Sequence, residues 1–182
     1  MTAGSVSDPV SDPLSDPLSD PLSDPVAAPV AAAVVDTLRR GGGTVATAES
    51  LTGGLLCSAL ICVPGASEVV RGGVVAYAAD VKVSVLGVDG GVVERHGTVA
   101  AETAAAMAVA ARDRFDATWG VSTTGVAGPD RSEGKDVGTV FVAVAGPDGV
   151  SATALSLSGD RARIRAETVA QALSVLLPRL TT

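Results

Sequence analysis

The chain has 182 residues, is 47% hydrophobic but only 2% aromatic, and carries a net charge of −7. A length of this order accommodates one domain with a core built from Ala, Val and Leu. Asp8, Asp12, Asp16, Asp20 and Asp24 account for most of the negative excess, so the remainder is close to neutral, with no basic face for nucleic acid and no Lys/Arg cluster for a membrane surface. No run of about 18 apolar residues marks a membrane span. The N-terminus has neither the basic nor the apolar region of a signal peptide, so a cytoplasmic protein is expected.

Residues 7–26 are tandem copies of Ser-Asp-Pro-Val/Leu. Proline at every fourth position forbids a regular helix, and four residues are too few for a self-packing repeat, so 1–25 is expected to be a disordered tail and 26–182 the domain. Residues 26–40 read as a helix stopped by Gly41-Gly42-Gly43. A short strand is predicted over 44–48 and an apolar helix over 52–62, stopped at Val63-Pro64-Gly65. That helix carries Cys57 and Cys62, whose spacing is neither CxxC nor a disulfide framework, and both are expected to be buried reduced thiols. Residues 72–77 read as a buried strand, and 79–86 as a short helix containing Lys82.

Glu94-Arg95-His96-Gly97 reads as a loop. An Ala-rich helix follows over 98–113, with Thr98 as a candidate cap and Glu102 in its first turn. A strand over 118–124 leads into a glycine-bearing loop from Gly125 to Asp136. Two strands, 137–145 and 150–157, are joined by the hairpin signal Gly146-Pro147-Asp148-Gly149. A closing helix spans 160–177. Alternating helices and strands with one hairpin predict an α/β fold, a three-layer α/β/α sandwich with a mixed sheet in a single domain.

The densest chemistry lies at Thr47-Ala48-Glu49-Ser50-Leu51-Thr52-Gly53-Gly54, a strand-to-helix turn with a carboxylate, hydroxyls and two glycines. A serine in such a turn is exposed at the sheet edge, beside N–H groups at a helix start that can stabilise an oxyanion. The segment is not the GxSxG elbow of α/β hydrolases, and helix capping by Ser50 or Thr52 is the competing reading. The only histidine, His96, falls in the predicted loop, so histidine-based triads and zinc sites are poorly supplied. Of thirteen basic residues only Lys82 and Lys135 are lysine. Lysine, unlike arginine, can lose its proton when buried, and a neutral lysine can replace histidine as the base for a serine. Thr123-Thr124-Gly125-Val126-Ala127-Gly128-Pro129-Asp130 allows close backbone approach to a phosphate or carboxylate, a plain turn being the alternative. It lacks the Lys-Ser/Thr ending of a Walker loop.

Taken in order, Thr47 through Gly54, Val63-Pro64-Gly65, Gly72 through Lys82, Leu86-Gly87-Val88, Glu94 through Gly97, Thr124 through Pro129, Val137-Gly138-Thr139-Val140 and Gly159-Asp160-Arg161 resemble the CinA carboxy-terminal domain family, the nicotinamide-nucleotide amidohydrolases. The resemblance covers roughly residues 30–178. It implies hydrolysis of the amide of nicotinamide mononucleotide to nicotinic acid mononucleotide and ammonia, as part of pyridine nucleotide salvage in NAD metabolism. The implied catalytic residues are Ser50 as nucleophile, Lys82 as its base and Tyr77 as a helper. Thr52 belongs to the implied substrate site, and the Gly53 and Gly54 amides would hold the oxyanion. Thr124, Gly125 and Gly128 would contact substrate, with Arg161 as a phosphate candidate. No metal or cofactor is implied. The partner is a small-molecule nucleotide, and a homodimer is expected because a small aliphatic core often gains from an interface. The chain departs from the family at Leu51 (usually Cys), at Ala78-Ala79 (usually Ser-Asn) and over Asp130-Arg131-Ser132-Glu133-Gly134. A non-catalytic nucleotide-binding or interaction module of the same fold is the alternative function, and an amidase or esterase for another small substrate a third.

Overall fold

The computed structural model describes residues 27–181; the Ser-Asp-Pro repeats lie outside them. Helix α1, Ala27–Gly41, buries Ala27, Ala31, Val34, Val35 and Leu38, the i, i+4, i+7, i+8 stripe of an amphipathic helix. The chain turns through Gly42, at φ +65°, into β1, Val45–Glu49, whose five residues are all buried. That run is continuous rather than alternating because β1 lies inside the sheet, covered on both faces.

The other strands are β2 (Val70–Val75), β3 (Trp119–Gly125), β4 (Thr139–Gly146) and β5 (Gly149–Ser156), in the sheet order β2-β1-β3-β4-β5. β1 runs parallel to β2 and β3, while β4 is antiparallel to both β3 and β5. The mixed sheet is covered by six helices: α1, α2 (Leu55–Ile61), α3 (Ala79–Ser84), α4 (Gly90–His96), α5 (Ala101–Arg114) and α6 (Arg161–Arg179). α1, α2 and α6 cover one face, where Val34, Leu38, Leu56, Leu60, Leu173 and Leu176 pack with Val140, Val142 and Val144. α5 covers the other through Ala104, Ala108, Met107 and Ala111, against Ala46, Ala48, Ala143 and Ala145. The three-layer arrangement agrees with the sequence-based fold.

The alanine-on-alanine face brings α5 unusually close to the sheet. A Cβ at Gly120 of β3 would collide with the Ala108 carbonyl oxygen and come within 2.8 Å of the Arg112 amide nitrogen, both backbone atoms that cannot swing aside. Gly120→Ala is therefore expected to cost about 3 kcal/mol, read as a lowered urea midpoint.

Several sequence-based boundaries shift. The strand predicted as buried over 72–77 runs from Val70 to Val75 and lies at the sheet edge, so its residues alternate between half-buried and exposed. The helix predicted over 52–62 begins only at Leu55, because Gly53 and Gly54 take the left-handed backbone at φ +60° and +97°. Cys57 and Cys62 are free but half-buried rather than buried. His96 closes a helix, α4, where a loop was expected; two leading glycines hide that helix from propensity, and Asp89 caps it by accepting from the Gly91 amide at 2.8 Å. Thr98 does not cap α5, whose cap position is Ala100 with no side-chain bond. No helix among the described residues is long and apolar enough to cross a membrane.

Candidate active site

β1 ends at Glu49, at the carboxyl end of the parallel strands, where open α/β sheets place their ligand sites. The next residue, Ser50, is anchored by its amide to the Thr123 carbonyl of β3 at 2.9 Å. The turn that follows is pinned from several sides. Glu49 is buried and accepts from the amides of Gly54 at 2.9 Å, Leu56 at 3.1 Å and Cys57 at 2.7 Å, so its carboxylate caps the start of α2. Arg165 of α6 donates to the carbonyls of Leu51 and Thr52, both at 2.9 Å. The Thr52 hydroxyl lies 2.7 Å from that of Thr123, under the turn and fully buried.

This wiring corrects two expectations. The Gly53 and Gly54 amides are not free for an oxyanion: Gly53 donates to the Ser50 carbonyl at 3.1 Å and Gly54 to Glu49. Thr52 contributes its hydroxyl to the support of the turn. The amides of Leu51 and Thr52 have no hydrogen-bond partner among the described residues, which leaves them as the donors next to Ser50. Glu49→Gln keeps the side-chain shape but loses the charge and one acceptor oxygen. It is expected to cost about 2 kcal/mol in urea unfolding, as removal of charge-assisted bonds to buried amides does.

Lys82 comes from α3, across the end of β2. It is fully buried, and its Nζ lies 2.7 Å from the Ala76 carbonyl, 3.1 Å from the Tyr77 carbonyl and 3.1 Å from Ser50 Oγ. Ser50 itself is 8% exposed, so the pair is shielded but reachable. Burial lowers the Lys82 ammonium to about 8, against a smaller upward pull from the Glu133 carboxylate. The two carbonyls occupy two N–H directions and leave the third to Ser50. In the neutral amine that third direction is the lone pair, aimed at the serine proton. The Lys82 contacts with Ser50, Ala76 and Tyr77 form with Ala78-Ala79 at the start of α3. Ala78 is extended and precedes α3 without any side-chain cap.

A pocket of about 170 Å³ opens in front of the pair, lined by Ser50, Leu51, Tyr77, Thr98, Thr124, Arg161 and their neighbours. Tyr77 is 61% exposed, and its hydroxyl accepts from Arg161 Nη2 at 3.2 Å; its contact with Lys82 runs through the backbone carbonyl. Arg161 also donates to the Gly128 carbonyl at 2.6 Å, which ties α6 to the glycine loop. Thr124 donates to the Thr98 carbonyl at 2.6 Å. Gly125 is required for packing: a Cβ there would stand 2.7 Å from the Thr139 carbonyl oxygen. Of the residues expected in the site, Ser50, Lys82, Tyr77, Thr124, Gly125 and Arg161 converge, and Gly128 is linked to it through the bond its carbonyl accepts from Arg161. Sequence reasoning did not single out Thr98 or Ser132 for the pocket, Glu133 for its bonds to Thr98, or Arg165 for the turn. No cluster of three or more His, Cys, Asp or Glu residues that could hold a metal lies among the described residues.

The model of the CinA C-terminal domain matches residues 27–180, nearly all of the described chain. This chain belongs to the CinA C-terminal domain family. It is 50% identical over 143 residues to a CinA-like protein of Frankia casuarinae, covering 79% of this chain and 33% of that relative. A CinA-like protein of Myxococcus xanthus is 45% identical over 150 residues, covering 81% of this chain and 35% of the relative. The chain thus spans about a third of the length of the curated relatives it matches. Solved structures of CinA proteins match it over most of both chains. A competence/damage inducible protein from Agrobacterium tumefaciens superposes with a TM-score of 0.81 at 36% identity, over 86% of this chain and 96% of that one. A competence-damaged protein superfamily member from Escherichia coli gives 0.81 at 31% identity, over 83% and 88%.

Proposed function

We propose that this CinA-family chain is an amidase that hydrolyses the carboxamide of nicotinamide mononucleotide to nicotinic acid mononucleotide and ammonia. The observation that carries the reading is the 3.1 Å contact between Lys82 Nζ and Ser50 Oγ, with the other two Nζ contacts taken by backbone carbonyls. Neutral Lys82 accepts the Ser50 proton as Oγ attacks the amide carbon. The Leu51 and Thr52 amides are the donors nearest in sequence for the resulting oxyanion. The tetrahedral intermediate collapses as Lys82 returns the proton to the amide nitrogen. The C–N bond breaks, ammonia leaves, and an ester to Ser50 remains. Lys82 then takes a proton from water as its oxygen attacks the ester carbon, and returns that proton to Oγ as the C–Oγ bond breaks, which releases the acid and restores Ser50 and neutral Lys82. The chemistry draws on no cofactor.

Arg161 supports the nucleotide part of the reading. It stands at the pocket mouth with N–H groups beyond those donated to Gly128 and Tyr77, and a guanidinium matches phosphate geometry. Thr124, Gly125 and Gly128 fill the remaining substrate role. Release of ammonia from nicotinamide mononucleotide by the purified protein tests the proposal. Stoichiometric ammonia and nicotinic acid mononucleotide are expected. Nucleotide binding by calorimetry without ammonia would favour a non-catalytic binding module instead.

A further inference from the structure

The loop between β3 and β4 contains one residue whose backbone and side chain call for a joint explanation. Residues 132–135 form a tight hairpin, with the Ser132 amide donating to the Lys135 carbonyl at 3.2 Å and the Lys135 amide to the Ser132 carbonyl at 2.9 Å. Both central residues are left-handed: Glu133 at φ +51° and Gly134 at φ +72°. This is the mirror-type two-residue turn, which favours Asn, Asp or Gly at its first central position. Glutamate gains nothing locally there and carries backbone strain.

The side chain accounts for its presence. One Glu133 carboxylate oxygen accepts from the Thr98 hydroxyl at 2.6 Å, the other from the Thr98 amide at 2.9 Å and the Val99 amide at 3.2 Å. These bonds hold the carboxyl below its ordinary range, even though partial burial pushes the other way. A Cβ at Gly97 would collide with the carboxylate, so the chain leaves room for it. Among the described residues, the only hydrogen bonds that tie residues 132–135 to anything outside the loop 125–136 are those of Glu133. Ser132, beside it, lines the pocket that contains Ser50, as do Thr98 and Val99.

We propose that Glu133 is a positioning residue: it locks the 132–135 hairpin onto the Thr98–Val99 backbone and so keeps Ser132 and Thr98 together in the wall of the Ser50 pocket. The inference rests on the amidase reading for its effect on turnover, and on geometry alone for the lock.

The test compares the wild-type chain with Glu133→Gln and Glu133→Ala in two readouts. The first is hydrogen exchange at the Thr98 and Val99 amides. The second is kcat and KM on nicotinamide mononucleotide. Both variants should exchange the two amides about tenfold faster and raise KM about tenfold, with kcat changed less than about threefold, the size expected for losing charge-assisted bonds that order a wall. Unchanged exchange at Thr98 and Val99, or faster exchange with KM unchanged, overturns the inference. Absence of ammonia release from the wild type would overturn the amidase reading, while exchange still decides the role of Glu133.

Discussion

Ser50→Ala is expected to reduce ammonia release from nicotinamide mononucleotide by about a thousandfold or more, the loss typical of deleting a nucleophile that acts as a unit with its base. Folding should survive. Among the described residues the Ser50 hydroxyl hydrogen-bonds Lys82 Nζ alone, while the Ser50 amide, which anchors the turn to Thr123, is a backbone group that alanine retains. Glu49 and Arg165, which hold the turn from either side, are untouched. The check is a stopped ammonia assay on protein whose unfolding free energy in urea lies within about 1 kcal/mol of the wild type. A variant that folds and retains full activity removes Ser50 as the nucleophile.

Lys82→Arg and Lys82→Met should each lower turnover about a hundredfold or more, because neither side chain can accept the serine proton at neutral pH. Lys82→Met carries a second signature. An unfolded lysine titrates near 10.5, whereas Lys82 in the fold titrates at about 8. Between those values the unfolded chain holds more protons than the folded one, so wild-type stability rises with pH across about 8 to 10.5 and levels off above. The interval corresponds to about 3 kcal/mol, an upper bound for one site. Lys82→Met lacks this rise. The Cys57 thiol, pushed up mainly by burial, bends stability the other way at high pH, but equally in both proteins, so their difference isolates Lys82. Parallel stability curves from pH 7 to 10.5 would show that Lys82 is not the low-pKa group.

The two members of the proposed catalytic pair stand out in the sequence for separate reasons. Ser50 sits in a turn rich in glycine and hydroxyls, and Lys82 stands out because the chain writes its other cations, except Lys135, as arginine. Their contact spans 32 residues of sequence and depends on β2 lying beside β1, which local pattern does not encode. The same distance effect hides the groups that hold the site in place. Glu133 meets Thr98 across 35 residues, and Arg165 meets Leu51 across 114. Glu49 was visible as a carboxylate, but its role was not. A helix start after two left-handed glycines leaves its amides facing back toward the strand end, where Glu49 takes them. The α/β/α layering followed from alternating apolar runs. The edge position of β2 did not, because Gly72-Gly73-Val74-Val75 reads as buried by composition.

The central claim is that a neutral Lys82 activates Ser50. The pH dependence of kcat/KM on nicotinamide mononucleotide tests it most directly. An ascending limb with its midpoint near pH 8, set by Lys82 in the free enzyme, is the expected result. A profile that stays flat from pH 6 to pH 9.5, on a folded and active enzyme, would contradict it.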